Sequence, residues 1–131
     1  MKNINHLISI IIPVFNESES IAYLLEEVKS VMEVNQFNYE LIVVNDGSED
    51  NTQAVLDKLT QNIKELLVIS LRKNYGQTAA MAAGFDISRG DIVITLDGDL
   101  QNDPNDIPKL ISEINTGYDL ICGWRFDRKD K

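Results

Sequence analysis

The sequence predicts an open α/β fold, in which a mostly parallel sheet lies between two layers of helices. Apolar runs of strand length alternate strictly with segments of helical periodicity along the 131 residues. The strand-like runs are rich in β-branched residues and show no apolar–polar alternation, which is typical of strands buried on both faces. Strands that alternate with helices pair in parallel through right-handed crossovers. Their carboxyl ends therefore share one edge of the sheet, where ligands bind in such folds.

The first strand is predicted over residues 7–14, where isoleucine dominates. Pro13 lies near its end and lacks a backbone donor, so we expect the hydrogen-bond ladder to stop there. Ser18 or Ser20 can then cap a helix whose apolar residues recur on one face. These apolar residues are Ile21, Leu24, Leu25, Val28, Val31 and Met32.

The second and third strand–helix pairs repeat this pattern. Strands are predicted over residues 40–45 and 66–71, and the helix between them starts within residues 50–52. The helix predicted over residues 77–88 is dense in alanine, which allows close packing on the sheet. Gly90 is well placed as its C-cap. The apolar positions of the helix between the two strands are Val55, Leu56 and Leu59.

A fourth strand is predicted over residues 92–96, and it runs directly into two carboxylates, Asp97 and Asp99, with one glycine between them. A helix over residues 105–116 and a fifth strand over residues 118–123 complete the pattern. No internal repeat and no low-complexity linker interrupts the alternation of strands and helices. The sequence therefore predicts a single α/β domain.

The composition excludes several classes of function. The formal net charge of -9, from 21 acidic and 12 basic residues, argues against nucleic acid as a partner. Cys122 is the only cysteine, which excludes an internal disulfide and favours a reducing, cytoplasmic compartment. His6 is the only histidine, so acid–base chemistry by histidine has almost no candidate. The longest apolar run, residues 7–15, is too short to span a membrane, so no membrane segment is expected in this chain.

The predicted strand ends bring polar residues to one edge of the sheet. They are Asn16 and Glu17 after the first strand, Asp46, Gly47 and Ser48 after the second, Arg72 and Asn74 after the third, and Asp97, Asp99 and Gln101 after the fourth. Turn and capping chemistry alone explains many of the polar residues in these turns. It does not require Glu17, Arg72 or the pair Asp97 and Asp99. Those that we assign mainly to turns and caps are Ser18, Ser48, Asp50, Asn102 and Asn105.

Asp97 and Asp99 are close enough to repel each other unless a cation compensates. Oxygen ligands on a short loop suit Mg²⁺ or Mn²⁺, which usually keep positions free for phosphate oxygens. The alternative is a polar β-turn in which Gly98 supplies the bend. The chain has no glycine-rich phosphate loop, so a bound diphosphate needs a metal, helped by Arg72, to neutralise it. Asp46 is then free to accept a hydrogen bond from a base or ribose.

The motifs that carry these residues resemble those of family 2 glycosyltransferases of the GT-A fold. Within that family the chain resembles the N-terminal, donor-binding half of dolichyl-phosphate mannose synthases and bacterial undecaprenyl-phosphate glycosyltransferases. The resemblance extends over nearly all of the chain, and five motifs occur in the order and spacing of the family. They are residues 9–17 (SIIIPVFNE), 43–52 (VVNDGSEDNT), 71–76 (LRKNYG) with Ala80, 96–101 (LDGDLQ) with Pro104, and 123–125 (GWR).

The resemblance implies roles for individual residues. Pro13, Phe15 and Glu17 would line a nucleoside pocket, and Asp46 would contact the base. Ser48 and Arg72 would belong to the same nucleotide-sugar site. Asp97 would lie near the ribose and phosphate and share in the metal site, in which Asp99 and Gln101 would ligate Mg²⁺ or Mn²⁺. Arg125 or Arg128 would approach the phosphates or the acceptor. One departure is Asn102, where relatives often carry aspartate.

The reaction that the resemblance implies is inverting transfer of a sugar from a nucleoside diphosphate sugar to a polyprenyl phosphate. Residues 1–124 would form the nucleotide-sugar-binding half-domain, and the charged residues 125–131 would begin the acceptor-binding half. The catalytic base is expected in that second half, so the chain is expected to be incomplete for transfer. A full-length parent is expected at the cytoplasmic face of the membrane.

Two other functions remain open from the sequence. A receiver-like signalling module is also a small acidic α/β domain that binds Mg²⁺, but it needs an acidic pair after the first strand and a phosphorylatable aspartate after the third. Here Asn16 and Glu17 follow the first strand, and Arg72 follows the third. The other possibility is a domain that binds the donor without catalytic activity.

Overall fold

The computed structural model describes residues 6–96 and 103–115. A single turn of 3-10 helix, Pro104–Asp106, precedes the last described helix. The elements are β1 Leu7–Val14, α1 Ile21–Val34, β2 Asn38–Asn45, α2 Thr52–Leu59, β3 Leu66–Ser70, α3 Gln77–Ile87, β4 Ile92–Thr95 and α4 Ile107–Asn115. The predicted order and type of these elements are confirmed. The predicted fifth strand and the charged tail lie outside the described residues.

The described strands form one parallel sheet in the order β3-β2-β1-β4. This order matches the Rossmann-like arrangement, in which the second strand lies between the first and the third. A receiver module has the flavodoxin-like order, in which the first strand lies between the second and the third. The sheet order therefore excludes the receiver-like alternative.

Pro13 ends only one of the two ladders that β1 forms. Pairing with β2 continues past it, since Pro13 is level with Val44 and the Asp46 N–H donates to the Val14 carbonyl 2.8 Å away. Pairing with β4 ends at Ile11, whose carbonyl accepts from the Leu96 N–H. Along β1, the N–H and C=O groups of successive residues point in turn to β2 and to β4. Pro13 is two residues after Ile11, so its missing N–H faces the β4 side. The predicted end of the ladder near Pro13 is confirmed, since pairing ends at Ile11 on the β4 side and at Val14 on the β2 side.

The helices cover the two faces of the sheet unequally. The larger core cluster lies on the face covered by α1, α2 and α4, and it includes all six apolar positions predicted for α1. On the other face of the described sheet, α3 packs on β1 and β2 through Ala80 and Ala83, against Ile11, Ile42 and Val44. No helix in the described part of the chain is long and apolar enough to cross a membrane.

A buried carboxylate, Glu40, ties the segment between α3 and β4 to the amino end of the sheet. The Ser9 hydroxyl donates to Glu40 over 2.6 Å, and the Arg89 N–H donates to the same oxygen over 2.8 Å. The Arg89 guanidinium lies 3.2 Å from the other oxygen. The Gly90 N–H donates to the Ser9 hydroxyl, so four residues form one connected group.

Gly90 is not the C-cap of α3, contrary to the prediction. The helix ends at Ile87, and its C-cap, Ser88, has an extended backbone. Gly90 is instead required by close packing, because a Cβ at this position would lie 2.5 Å from the Ser9 hydroxyl oxygen and 2.7 Å from the Ser9 nitrogen. A side chain here would separate the connection from β1.

The Glu40 carboxylate is stabilised in its charged form. Burial alone would raise the pKa of Glu40, but the hydrogen bonds from Ser9 and Arg89 outweigh it and hold the pKa below its usual value. A carboxylate with a lowered folded-state pKa stabilises the fold above its unfolded pKa, and this contribution is lost as the pH falls through the folded value.

We expect Glu40→Gln to lower the free energy of unfolding at pH 7 by about 1.5–3 kcal/mol, since charged hydrogen bonds are lost in a buried site. The difference from wild type should shrink as the pH falls below about 4.3, the ordinary glutamate pKa. Urea titrations between pH 7 and pH 3 would measure this. Glu26→Gln, at an exposed position of α1, is the matched control, and a pH-independent difference for Glu40→Gln would contradict the assignment.

Candidate functional site

The carboxyl ends of the described strands meet at one edge of the sheet, because every pairing is parallel. From β1, the chain builds β2 and β3 to one side and then places β4 on the other. The topological switch point therefore lies between β1 and β4, and ligands of open α/β sheets bind in the crevice at such a point. We call this side of the sheet the carboxyl edge.

Reciprocal hydrogen bonds join the turns after β1 and β2 at the carboxyl edge. The Asn16 N–H donates to the Ser48 hydroxyl over 2.9 Å, and the Asn16 side-chain oxygen accepts from the Glu49 N–H over 2.8 Å. Asn16 has a φ of 56°, a left-handed conformation in which asparagine is enriched. Asn16 and Ser48 thus hold the two turns in a fixed relation.

Thr52, which is fully buried, makes a second connection between the same turns. Its hydroxyl accepts from the Glu17 N–H over 2.9 Å and donates to the Asp50 carboxylate. Asp50 also accepts from the Thr52 N–H over 2.9 Å and from the Ser18 N–H over 3.4 Å. These hydrogen bonds lower the pKa of Asp50, and the bond from the Thr52 hydroxyl makes the largest contribution. The assignment of Asp50 to turn chemistry is confirmed, and Ser18 takes part in this turn through its backbone N–H.

Asp46 connects the turn after β2 to the loop that follows β3. One carboxylate oxygen accepts from the Tyr75 N–H over 2.8 Å, and the other accepts from the Gly76 N–H over 2.9 Å. The Asn74 side-chain amide donates to the Asp46 carbonyl over 3.2 Å. Asp46 is only 3% exposed. Its carboxylate therefore binds the backbone of residues 75–76, a contact that the sequence did not predict, and the predicted hydrogen bond to a base or ribose stays a prediction.

Gly47 allows this loop to approach. It has a φ of +69°, and a Cβ there would lie 2.2 Å from the Lys73 carbonyl carbon and 2.4 Å from the Asn74 nitrogen. Both atoms belong to the backbone, so no side-chain rotation can relieve such a contact. The motif Asp46-Gly47 therefore acts as one unit, in which the carboxylate binds the loop and the glycine leaves room for it.

A third connection, among Asn45, Gln53 and Ser70, was not predicted. The buried Asn45 amide donates to the Gln53 side-chain oxygen over 2.7 Å, and the Ser70 hydroxyl donates to the same oxygen over 2.6 Å. Asn45 also accepts from the Ser48 N–H over 3.1 Å. The only signal in the sequence was a polar residue at the end of an apolar strand, and helical periodicity does not identify Gln53 as its partner.

The predicted site residues have different surroundings at this edge. Pro13 is buried in β1, Glu17 is half-buried, and Phe15 exposes 40% of its surface. Arg72 is exposed on the loop after β3. Asp97, Asp99, Gln101, Arg125 and Arg128 lie outside the described residues, and the last described residue of the fourth strand segment is Leu96. Their roles remain predictions.

Within residues 6–96 and 103–115, no three histidine, cysteine, aspartate or glutamate side chains are grouped so that they could share a metal ion. Asp103 is exposed and acts as the cap of the 3-10 turn, since its carboxylate accepts from the Asn105 N–H over 3.0 Å. Asn105, predicted to be a turn or capping residue, does lie in this turn. It is the donor, however, and Asp103 is the capping acceptor. The carboxylates predicted to bind metal are not among the described residues.

Residues 9–131 match the family model described as glycosyl transferase family 2. The chain is 44% identical over 126 residues to an undecaprenyl-phosphate 4-deoxy-4-formamido-L-arabinose transferase of Pseudomonas fluorescens. It is 45% identical over 125 residues to a dodecaprenyl-phosphate galacturonate synthase of Rhizobium johnstonii. These alignments cover 95% and 94% of this chain, which spans 37% of the length of each relative.

The fold is similar to that of a mannosyltransferase from Pyrobaculum calidifontis, solved in complex with GDP-Man and Mn²⁺. The TM-score is 0.67 at 20% identity, and the similarity covers 82% of this chain and 31% of that one. The similarity at this level of identity concerns the arrangement of strands and helices.

We expect Gly47→Ala to destabilise the chain more than Gly76→Ala. Gly76 also has a positive φ, of +105°, but a Cβ there meets nothing within 4 Å. The free energy of unfolding of Gly76→Ala should therefore fall only by the cost of backbone strain, about 1–3 kcal/mol. Gly47→Ala combines backbone strain with displacement of the Lys73–Asn74 backbone. Urea titration of both variants measures the difference, and equal losses would show that the loop after β3 moves away without cost.

Proposed function

This chain belongs to glycosyl transferase family 2 and has the GT-A fold, and we propose that its carboxyl edge binds a nucleoside diphosphate sugar together with Mg²⁺ or Mn²⁺. We propose further that the sugar is transferred, with inversion, to a polyprenyl phosphate. The acceptor class is suggested by the names of the two relatives, which specify undecaprenyl phosphate and dodecaprenyl phosphate.

One observation carries the proposal. Three turns, after β1, β2 and β3, are joined by hydrogen bonds at the carboxyl edge, beside the switch point between β1 and β4. Such rigid turns hold side chains in place before a ligand arrives, which lowers the entropy lost on binding. The edge therefore has the position and the rigidity that a nucleotide site in an open α/β sheet needs.

We propose that the nucleoside lies over the turns after β1 and β2. Pro13, Phe15 and Glu17 supply one wall, with Phe15 sufficiently exposed to contact a base or ribose. Asp46 and Ser48 contribute to the other side, where Asp46 is proposed to contact the base. Arg72, which is exposed at the same edge, contributes positive charge for the diphosphate. Arg125 is proposed to act in the same way.

The donor set proposed for the metal consists of Asp97, Asp99 and Gln101. Carboxylate and amide oxygens are the ligands that Mg²⁺ and Mn²⁺ prefer, so the chemistry of these residues fits such an ion. When bound, the ion supplies positive charge that stabilises the negative charge developing on the leaving diphosphate. The residues of this chain hold the nucleotide and orient the sugar relative to the acceptor.

In the proposed reaction an oxygen of the acceptor phosphate attacks the anomeric carbon of the sugar. The bond from this carbon to the nucleoside diphosphate breaks, and the diphosphate leaves with the electron pair. A phosphate acceptor is already anionic near neutral pH, so its attack needs little help from a general base. A hydroxyl acceptor needs such a base, and no described residue is proposed for that role.

We expect the wild-type chain to be stabilised by Mn²⁺ together with at least one of UDP, GDP and CDP, and much less by either component alone. A ligand at a hundred times its dissociation constant stabilises a fold by about 2.7 kcal/mol, which is easily measured in a thermal melt. Asp99→Asn should abolish the dependence of nucleotide binding on Mn²⁺, because it removes a charged ligand of the ion.

Asp106→Asn is the matched control, since Asp106 is exposed in the 3-10 turn that follows this segment. It carries the same change of charge and should behave as wild type. If Asp99→Asn responds to Mn²⁺ and nucleotide as wild type does, the proposed metal site is wrong. If no nucleoside diphosphate stabilises the wild-type chain, the proposed donor site is wrong.

A further inference from the structure

β3 is an edge strand of the sheet. In the part of the chain that the structure describes, β2 lies on one side of β3 and no strand lies on the other. The Leu71 N–H donates to the Asn45 carbonyl of β2 over 2.9 Å. Backbone groups of successive residues in a parallel strand point to alternate sides. Those of Val68 and Ser70 therefore point away from β2.

The outer edge of β3 lacks the features by which proteins usually keep edge strands from pairing. Such strands usually carry charged side chains, prolines or bulges. The residues of β3, Leu66–Ser70, have the sequence LLVIS, without a charge or a proline. Its pairing with β2 is regular throughout. An edge of this kind is a template for pairing with another chain.

The side chains on one face of β3 form an apolar stripe. Leu67, Ile69 and Leu71 alternate along the chain and therefore share the face on which α3 lies. α3 packs on β1 and β2, so it lies to one side of this stripe. Leu67 exposes 42% of its surface, and Ile69 and Leu71 are only partly buried. A strand added at the edge would cover all three side chains.

Carboxylates lie at the amino end of β3, and cations follow its carboxyl end. The Tyr39 hydroxyl lies 3.2 Å from a Glu33 carboxylate oxygen and 3.5 Å from one of Glu65. Burial raises the pKa of Tyr39, and the charges of Glu65 and Glu33 raise it further. Arg72 and Lys73 follow the strand and are exposed. An antiparallel second copy would bring the cations of one chain to the carboxylates of the other.

We propose that this chain forms a two-fold symmetric dimer, in which β3 pairs in antiparallel with β3 of a second copy and Ile69 lies on the axis. Val68 of one copy then exchanges two backbone hydrogen bonds with Ser70 of the other, and Leu67 lies opposite Leu71. The two apolar stripes become one. This proposal rests on the edge of β3 and not on the proposed function.

The charges select this register. It places Glu65 of each copy opposite Lys73 of the other, and opposite charges across a strand pair stabilise it. The neighbouring register has Val68 on the axis. It would place Lys64 opposite Arg72, and like charges directly opposite each other are destabilising.

A hollow at the amino end of β3 leaves room for the second copy. It has a volume of about 350 Å³, and its lining includes Leu67, Asn38 and Arg89. In the proposed register Leu71 of the second copy lies opposite Leu67, at the side of this hollow. Because strands of five residues make a small interface, we expect reversible association in the micromolar range.

The first test is a symmetric cross-link. Cys122 is the only cysteine, so Ile69→Cys is made in a Cys122→Ser background. Cα atoms of a pair without mutual hydrogen bonds lie about 4.5 Å apart in antiparallel strands, which suits a disulfide. Mild oxidation should convert most of this variant to a covalent dimer.

Leu67→Cys in the same background is the matched control. Leu67 lies on the same face and is more exposed. In the proposed register, however, the two copies of residue 67 are four residues out of line, or about 13 Å apart. This variant should form little or no covalent dimer under the same conditions.

The second test removes one outward N–H from each copy. Ser70→Pro loses the N–H that points to the second copy, and an edge strand tolerates proline at such a position. Ser70→Ala is the control, because both variants lose the hydroxyl that donates to Gln53. In sedimentation velocity over a range of concentrations, Ser70→Pro should raise the dimer dissociation constant by roughly tenfold or more, and Ser70→Ala should not change it.

The third test exchanges the charges. Glu65→Lys and Lys73→Glu should each raise the dissociation constant by roughly fivefold at low salt. The double variant Glu65→Lys/Lys73→Glu should return it to the wild-type value, because opposite charges face each other again.

Each outcome decides for or against the dimer. A wild-type chain that stays monomeric at all concentrations would overturn it. Equal cross-linking of Ile69→Cys and Leu67→Cys would overturn the register, and so would a double charge variant weaker than either single one. Equal dissociation constants for Ser70→Pro and Ser70→Ala would show that the edge of β3 is not the interface. Should Ser70→Pro not fold, the pair of cysteine variants still decides.

Discussion

The parallel pairing of β1 with strands on both of its sides is the constraint on which the rest of the structure depends. β1 is buried almost throughout and pairs with β2 along its whole length and with β4 over four residues. Because both pairings are parallel, the turns after the strands emerge on one side of the sheet. Because β4 and β2 lie on opposite sides of β1, that side contains a switch point, where ligands bind in such folds. The candidate site follows from this arrangement.

Two buried carboxylates hold α3 against the sheet, one at each end of the helix. Asp46 binds the loop before α3, and Glu40 binds the segment after it. Asp46 accepts two backbone N–H groups, whereas Glu40 accepts one backbone N–H and side-chain donors of Ser9 and Arg89; these bonds offset the cost of burying a charge. The helix itself contributes small residues, of which Ala80 is fully buried. Polar contacts at its ends therefore supplement a limited apolar interface, and one of them also shapes the carboxyl edge.

The negative net charge of the chain bears on which ligands the carboxyl edge can bind. A net charge of -9 would repel an anionic donor at long range, so the proposed binding of a diphosphate would depend on positive charge close to the ligand. Arg72 and Lys73 are both exposed on the loop after β3. The loop that Asp46 holds thus carries cations as well as the exposed Tyr75 ring. The buried Asp46 carboxylate therefore holds the loop on which these groups lie.

The sequence by itself determined the order and type of the described elements, because uninterrupted β-branched runs and helical periodicity are local signals. It placed β1 with its observed bounds and identified all six buried apolar positions of α1. The resemblance of the motifs around Asp46 to those of a glycosyltransferase family was also visible in the sequence. The roles of Asp97, Asp99 and Gln101 rest on that resemblance and on their chemistry.

Only the tertiary structure decided what the polar residues bind. The sequence did not predict that the Asp46 carboxylate binds N–H groups 29 and 30 residues further along the chain. The sequence predicted Gly90 as a helix C-cap, whereas Gly90 lies against Ser9, 81 residues away. Residue type and spacing reveal that a group can form a hydrogen bond. Its partner depends on which distant segments the strand order and register bring together, and that is a property of the folded chain.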